Sequence, residues 1–262
     1  FAKEIARFDF NLFTGVNTMF ASLMHTPSFD KIDFSHQRVC IGGGMAVQPA
    51  VAKEWKQKTG RTILQGYGLT ETSPVAICCA IDSDFTGTIG LPVPSTDVMI
   101  VGDDGNDLPV GEIGEICIKG PQVMEGYWQR PKDTADVMLP GGWLRTGDVG
   151  RMDEEGYVWI EDRKKDMILV SGFNVYPNEI ENVVVELDGV LEVAAVGVTD
   201  ERSGEVVKVI VVRKDDALTE QDIIDHCREN LTGYKRPKMV EFRDDLPKTN
   251  VGKILRRELR DE

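Results

Sequence analysis

The first 86 residues alternate short apolar runs with helical patterns, and this alternation constrains the fold more than any other feature. Helical patterns cover Asn17 to Met24 and Pro49 to Lys58, where the proline stands in the first turn. Short strands are predicted from Arg38 to Ile41 and from Arg61 to Leu64, the second ending in a loop at Gly66. Such alternation is typical of parallel α/β units. We therefore predict that residues 1–86 are part of a parallel α/β layer.

The pattern of the sequence changes at about residue 87. Short β-rich runs are now separated by turns rich in Asp and Gly, which predicts hairpins. These runs are Asp97–Val101, Glu115–Lys119 and Tyr157–Ile160. We predict an antiparallel barrel or sheet over residues 87–161. A charged run then interrupts the apolar pattern, so we place a domain boundary there, with a hinge at residues 162–167.

The remaining residues, 168–262, have the pattern of a compact α+β domain. A helix is predicted to begin at Pro177 and to end at Gly189, because apolar residues recur at helical spacing between them. Strands are predicted over Val190–Val198 and Val206–Val212. A second helix follows, with Thr219 as its cap and an acidic residue three positions later.

Composition and charge exclude several classes of protein. The 262 residues include 44 acidic and 30 basic side chains, a formal net charge of −14. A nucleic-acid partner is disfavoured, because such affinity comes mainly from clustered Lys and Arg. The five cysteines form no CxxC pair, which argues against a disulfide framework or a zinc ribbon. No apolar run approaches the roughly 18 residues that span a bilayer, and a reduced cytoplasmic compartment fits best.

Two glycine-containing clusters follow the predicted strands of the α/β layer. Gly42, Gly43 and Gly44 either let the backbone approach a ligand closely or permit an unusual turn. The segment from Gly66 to Glu71 can supply an aromatic stacking face, a hydroxyl donor to phosphate and a carboxylate ligand for Mg²⁺. The alternative for that segment is an ordinary helix start, with Thr70 as cap.

Three further clusters carry charge. Asp148 follows Gly147 and is either a turn residue or a carboxylate that accepts both hydroxyls of a ribose. The run from Asp162 to Asp166 is either a solvated surface or a hinge whose charges find different partners in two orientations. Lys253 is either exposed or carries a positive charge into an active site on its flexible stem.

Taken in order, the five clusters resemble the adenylate-forming superfamily of acyl- and aryl-CoA ligases, peptide-synthetase adenylation domains and luciferases. The segments Gly142–Asp148 and Asp162–Pro177 are similar to those of bacterial long-chain fatty-acid–CoA ligases. The resemblance covers essentially the whole chain. It implies the remainder of an adenylate-forming N-terminal domain, with an α/β layer and a β-barrel-like subdomain, followed by a small, mobile α+β C-terminal domain.

The resemblance also implies a role for each cluster. Lys253 would reach the carboxylate and the α-phosphate during adenylation, Lys165 would be the hinge and Gly172 would line the tunnel for CoA. Glu71 would hold Mg²⁺. The nucleotide would be bound by the glycines, by an aromatic ring, by a hydroxyl and by residues at the ribose, namely Gly42, Gly43, Gly44, Gly66, Tyr67, Gly68, Thr70, Asp148 and Arg163.

The implied reaction has two steps. A long-chain fatty acid attacks ATP to give acyl-adenylate and pyrophosphate, and the CoA thiol then displaces AMP. The resemblance further implies a cytoplasmic enzyme in peripheral contact with the inner membrane, and it leaves the oligomeric state open, with a homodimer as one option.

The sequence lacks two features expected of the whole enzyme, and three alternatives for its function stay open. No initiator Met and no Ser/Thr/Gly-rich phosphate loop occur in these residues, so we expect the C-terminal half of a larger enzyme, inactive by itself. The chain could instead belong to a ligase for an aryl or medium-chain acid, or to a peptide-synthetase adenylation domain. From another class, it could be a noncatalytic module that binds a nucleotide or an acyl-adenylate.

Overall fold

A computed structural model describes residues 1–250 and 252–260. Val251, within the Lys253 loop, and residues 261–262 lie outside the described residues. The chain divides into two compact units, Phe1–Ile160 and Glu161–Glu262. The first unit contains two sheets and the second contains one, and each unit is described by itself.

The first unit contains helices and two sheets. Its helices are α1 (Ala2–Ile5), α2 (Asn17–Met24), α3 (Pro49–Thr59) and α4 (Pro131–Val137), with 3-10 turns at Phe29–Lys31 and Thr70–Thr72. Its strands are β1 (Leu12–Gly15), β2 (Val39–Gly43), β3 (Leu64–Gly68), β4 (Val75–Cys78), β5 (Leu91–Pro92), β6 (Asp97–Val101), β7 (Gly114–Lys119), β8 (Met138–Leu139), β9 (Trp143–Met152) and β10 (Val158–Arg163), which runs past the boundary.

The first sheet has the order β1-β2-β3-β4-β5. Strands β1, β2 and β3 are parallel, as predicted for an α/β layer, whereas β4 and β5 add antiparallel pairs. Helix α3 lies against this sheet through Trp55, whose side chain is fully buried among the rings of Phe13, Phe20, Phe29 and Phe34. Burying aromatic rings in this way supplies much of the apolar stabilisation of a small core.

The strand predicted over Arg61–Leu64 was wrong. The strand is Leu64–Gly68, so Gly66 lies within a strand rather than in a loop. It pairs on both sides, parallel to β2 and antiparallel to β4, and those partners fix its position. A Cβ on Gly68 would lie 1.6 Å from the carbonyl oxygen of Pro74, so only glycine fits where the chain folds back towards β4.

The second sheet is antiparallel, with the order β10-β9-β7-β6 and β8 paired to β9. Its core is formed by alternating apolar residues, including Ile100, Ile116, Ile118 and Val158, all essentially buried. The predicted strand from Tyr157 continues through the charged residues to Arg163, and residues 164–166 form a turn. The charged run therefore begins in a strand.

The second unit is an α+β fold. Its helices are α5 (Pro177–Val184), α6 (Glu220–Asn230) and α7 (Arg256–Arg260), with a 3-10 turn at Gly233–Lys235. Its strands are β11 (Ile168–Val170), β12 (Phe173–Val175), β13 (Val190–Asp200), β14 (Gly204–Arg213) and β15 (Met239–Arg243), in the order β12-β11-β14-β13 with β15 parallel to β14.

Helices cover both faces of this sheet. Successive residues of β13 point to opposite faces, so neighbouring side chains pack in different cores. Val193 and Ala195 pack in one core with residues of α5 and α6. Ala194 and Val196 pack in another with Leu259 of α7. Helix α6 has the predicted cap, since the Thr219 hydroxyl accepts the backbone N–H of Asp222.

The predicted end of α5 was wrong. The helix ends at Val184, five residues before Gly189. The predicted helix was too long because Leu187 continues the apolar spacing. Leu187 packs against the core, although its backbone is no longer helical. Gly189 has φ +98°, so it makes a turn into β13 rather than ending the helix.

Candidate active site

Tyr67 and Asp148 meet in the interior of the first unit. The Tyr67 hydroxyl donates to Asp148 Oδ2 at 2.6 Å, although the two residues are 81 positions apart. Both side chains are 8% exposed. The structure thus brings together two residues that the sequence proposed separately for nucleotide binding. A buried carboxylate that is held by a hydroxyl can still accept a ligand's hydroxyl groups at its remaining lone pairs.

Asp148 reaches this position because β9 bulges. The pairing of β9 with β7 shifts register between Glu115 and Cys117, and Gly147 has φ +73° within the bulge. Glu115 Oε1 accepts the Gly147 N–H at 3.1 Å, and the Thr146 hydroxyl accepts the Asp148 N–H at 3.1 Å. Bulges re-aim side chains next to functional sites. The alternative that Asp148 is an ordinary turn residue was therefore wrong.

Glu71 lies on the 3-10 turn Thr70–Thr72 and is half-buried. The Tyr127 hydroxyl donates to Glu71 Oε1 at 2.8 Å, and this bond raises the pKa of Tyr127. Thr70 is exposed and does not cap the turn, because the Thr72 hydroxyl accepts the Leu69 N–H instead. The ordinary helix start with Thr70 as cap was thus wrong. Sequence reasoning missed Tyr127, and no local signal marks it.

The two glycine clusters are neighbours in the first sheet. Gly42 pairs with Gln65 and Gly43 with Gly66 across β2 and β3, and Gly44 follows with φ +76°. A Cβ on Gly42 would lie 2.4 Å from Val47, and one on Gly43 would lie 3.0 Å from the carbonyl oxygen of Gly66. Close packing therefore requires small residues here.

The second unit contains the other candidate residues. Arg163 and Lys165 are exposed at the end of β10 and in the turn that follows it. Gly172 has φ +84° in the turn between β11 and β12, where a Cβ would meet open space. Lys253 is half-exposed on a loop that Thr249 holds. The Thr249 hydroxyl accepts the Lys253 N–H at 3.1 Å, and the Thr249 backbone N–H donates to the Lys253 carbonyl oxygen at 2.8 Å.

Family models account for most of the chain. The model described as AMP-binding enzyme matches residues 1–128, and the AMP-binding enzyme C-terminal domain matches residues 179–253. The chain belongs to the AMP-binding enzymes. The first match contains the Tyr67 and Glu71 clusters, and the second contains Lys253.

Two curated relatives of this AMP-binding enzyme are a CoA ligase and a CoA synthase. The chain is 59% identical over 261 residues to a long-chain-fatty-acid–CoA ligase from Escherichia coli O6:H1, covering 99% of this chain and 46% of the relative. It is 42% identical to a feruloyl-CoA synthase from Amycolatopsis sp., covering 94% of this chain and 50% of that one. The chain spans about half the length of the curated relatives it matches.

A solved structure matches the whole chain. ATP-bound MatB from Rhodopseudomonas palustris superposes with a TM-score of 0.93 at 34% identity, over 100% of this chain and 53% of that one. The fold of this AMP-binding enzyme is therefore that of the adenylate-forming enzymes, as predicted.

Among residues 1–250 and 252–260, no group of three or more His, Cys, Asp and Glu side chains could hold a metal ion. None of the helices in these ranges is long and apolar enough to cross a membrane.

We expect Tyr67→Phe to destabilise the first unit and to weaken its affinity for AMP. The change leaves a buried carboxylate oxygen without its donor, which costs about 1–3 kcal/mol. Urea unfolding followed by tryptophan fluorescence measures the stability, because all four tryptophans lie in the first unit. Tyr157→Phe is the matched control, since the half-buried Tyr157 hydroxyl bonds no described residue. Equal effects of the two changes would contradict the role given to Tyr67.

Proposed function

We propose that the whole protein activates a long-chain fatty acid with ATP to an acyl-adenylate, releasing pyrophosphate, and then transfers the acyl group to CoA, releasing AMP. The observation that carries the proposal is the 59% identity to an E. coli long-chain-fatty-acid–CoA ligase over 99% of the chain. The chemistry is supported by the buried Tyr67–Asp148 pair, which suits a ribose with two adjacent hydroxyls.

In this proposal the first unit binds the nucleotide. Asp148 accepts the ribose hydroxyls, and Thr70, which is exposed, donates to a phosphate. The glycines at Gly42–Gly44 and Gly66–Gly68 would let a flat ring approach the backbone, because glycine itself has no side chain in the way. Arg163, at the end of β10, lies beside the ribose.

Glu71 would hold the Mg²⁺ ion. Mg²⁺ is usually bound by one or two carboxylates together with water and substrate phosphates, so a single half-buried carboxylate fits without a larger cluster. The hydrogen bond from Tyr127 orients Glu71 Oε1 and leaves the other oxygen of the carboxylate to face a ligand. When bound, the ion neutralises phosphate charge.

The second unit supplies the catalytic cation and the CoA contacts. Lys253 stabilises the negative charge that develops on the carboxylate and α-phosphate oxygens during adenylation. The unit then turns about Lys165, so that Gly172 lines the path of the CoA thiol. Rotation of this kind is concentrated in a few hinge residues.

We also propose where the enzyme works in the cell and which oligomer it forms. A long-chain fatty acid is amphiphilic and partitions into bilayers, so the enzyme would work in the cytoplasm in peripheral contact with the inner membrane. A homodimer is the oligomeric state to be tested, by light scattering.

We expect Lys165→Pro to slow thioester formation more than adenylation. Proline fixes φ near −65°, which removes one of the two dihedrals about which the hinge turns. Single-turnover rates of the two half-reactions, measured in the whole protein, check this expectation. Lys164→Ala, one position earlier in the same turn, is the control. Unchanged thioester rates in Lys165→Pro would contradict the hinge assignment.

The test of the overall proposal is acid-dependent AMP release by the whole protein with ATP, Mg²⁺ and CoA. The acids run from acetate through aryl acids to long-chain fatty acids, with the 262-residue chain alone as the control. We expect a maximum at long chains. A maximum at ferulate would favour an aryl-acid ligase, which the 42% identity to a feruloyl-CoA synthase supports. Release with none of the acids would favour a noncatalytic nucleotide-binding module.

A further inference from the structure

The guanidinium group of Arg256, on the short helix α7 of the second unit, donates hydrogen bonds to several side chains. Its Nε and NH2 donate to the two carboxylate oxygens of Glu181 at 2.9 and 2.7 Å, and its NH2 also donates to Asn178 Oδ1 at 2.6 Å. Its NH1 donates to Asp162 Oδ1 at 3.0 Å and lies 3.5 Å from Asp166 Oδ2. A guanidinium has five N–H donors in a fixed fork, and Arg256 makes four hydrogen bonds with them.

The cluster is largely buried. Asp162 is 1% exposed, and the side chain of Arg256 is 16% exposed. One guanidinium faces three carboxylates, those of Asp162, Asp166 and Glu181. Burial raises the pKa of Asp162 to about 6, against the attraction of Arg256. Asp162 is also held by the backbone N–H of Asn178, at 2.7 Å.

Arg260, one turn further along α7, holds the backbone of the turn after β10. Its NH1 donates to the carbonyl oxygen of Lys165 at 2.9 Å, and its NH2 donates to that of Asp166 at 2.6 Å. The carbonyl oxygen of Met167 lies 3.4 Å from the same NH2. The helix is itself anchored, because Leu259 is 1% exposed in the core beneath β13.

The Arg260 contacts all fall on the C-terminal side of the backbone dihedrals of Lys165. The carbonyl group of Lys165 and everything after it turn together with α7, so a rotation about Lys165 leaves the Arg260 bonds intact.

We propose that α7 governs the hinge. Arg260 is a positioning residue that clamps the backbone after Lys165, so that rotation is confined to Lys165 and the residues before it. The buried bonds of Arg256 and the buried side chain of Leu259 hold α7, and with it the clamp, in place. The part of this inference that concerns rotation rests on the proposed two-step function. The clamp itself does not.

Amide hydrogen exchange tests the clamp on the 262-residue chain without any assay of activity. The N–H groups of Asp166 and Met167 bond to the carbonyl oxygen of Arg163 within the turn. We expect Arg260→Ala to speed exchange of these two amides about tenfold and Arg260→Lys to restore part of the protection. Arg228→Ala, which removes an exposed arginine from α6, should leave both rates unchanged. Unchanged rates in Arg260→Ala would overturn the clamp.

The outcome for the clamp is separate from that for the proposed function. A wild-type whole protein without AMP release would refute the proposed function, and the exchange result for the clamp would stand.

Discussion

Replacing Lys253 by alanine should reduce the adenylation rate about 100- to 1000-fold and leave thioester formation from supplied acyl-adenylate nearly unchanged. Charge develops on the non-bridging phosphate oxygens in the first step, and loss of one preplaced donor to such a charge commonly has an effect of this size. The backbone of Lys253 is held by Thr249, so its side chain starts from a fixed point. The second step has no corresponding need for this cation.

The measurement is pyrophosphate release in a single turnover of the whole protein, with thioester formation from synthetic acyl-adenylate measured in parallel. Lys214→Ala is the matched control, because Lys214 is an exposed lysine in the same unit. It should leave both rates near those of the wild type. If Lys253→Ala slowed both half-reactions equally, the assignment of this lysine to the first step would be wrong.

Arg256→Ala should have the largest effect on stability. Removing one partner of a buried ion-pair cluster leaves uncompensated buried charge and costs about 3–5 kcal/mol. Here Asp162 and Glu181 would both lose their guanidinium donor. Arg256→Lys should recover only part of the loss, because an ammonium group cannot reproduce the planar fork.

Tryptophan fluorescence would miss this effect, since every tryptophan lies in the first unit. Amide exchange of the buried residues of β13 and β14 reports the opening of the second unit directly. Arg228→Ala is the control, because the exposed pair of Arg228 with Asp225 should be worth less than about 1 kcal/mol. Comparable losses of stability in Arg256→Ala and Arg228→Ala would show that the buried cluster contributes no more than an exposed ion pair.

Much of the local structure could be predicted from the sequence, because its causes are local. Helix α2 spans Asn17–Met24, as predicted, and α3 begins at Pro49 and ends beside Gly60, which has φ +70°. The cap of α6 at Thr219 follows from two residues three positions apart. The parallel layer and the antiparallel sheet were also predicted, since strands alternate with helices in the first and are separated by turns in the second.

Elements whose position depends on distant partners could not be predicted in the same way. The strand at Gly66 was placed several residues too early, because its register is set by β2 and β4 on either side. Helix α5 was extended too far, because Leu187 packs in the core without being helical. In both cases tertiary packing decided what local propensity left open.

The fold class, the nature of the chemical groups and their order along the chain could be predicted from the sequence, since these depend on residue types and short spacings. Which groups meet depends on the tertiary structure. Tyr67 donates to Asp148 across 81 residues, and Arg256 joins Asp162 across 94. Neither pairing leaves a local signal, because each depends on a bulge or a packed helix that places the two side chains within hydrogen-bonding distance.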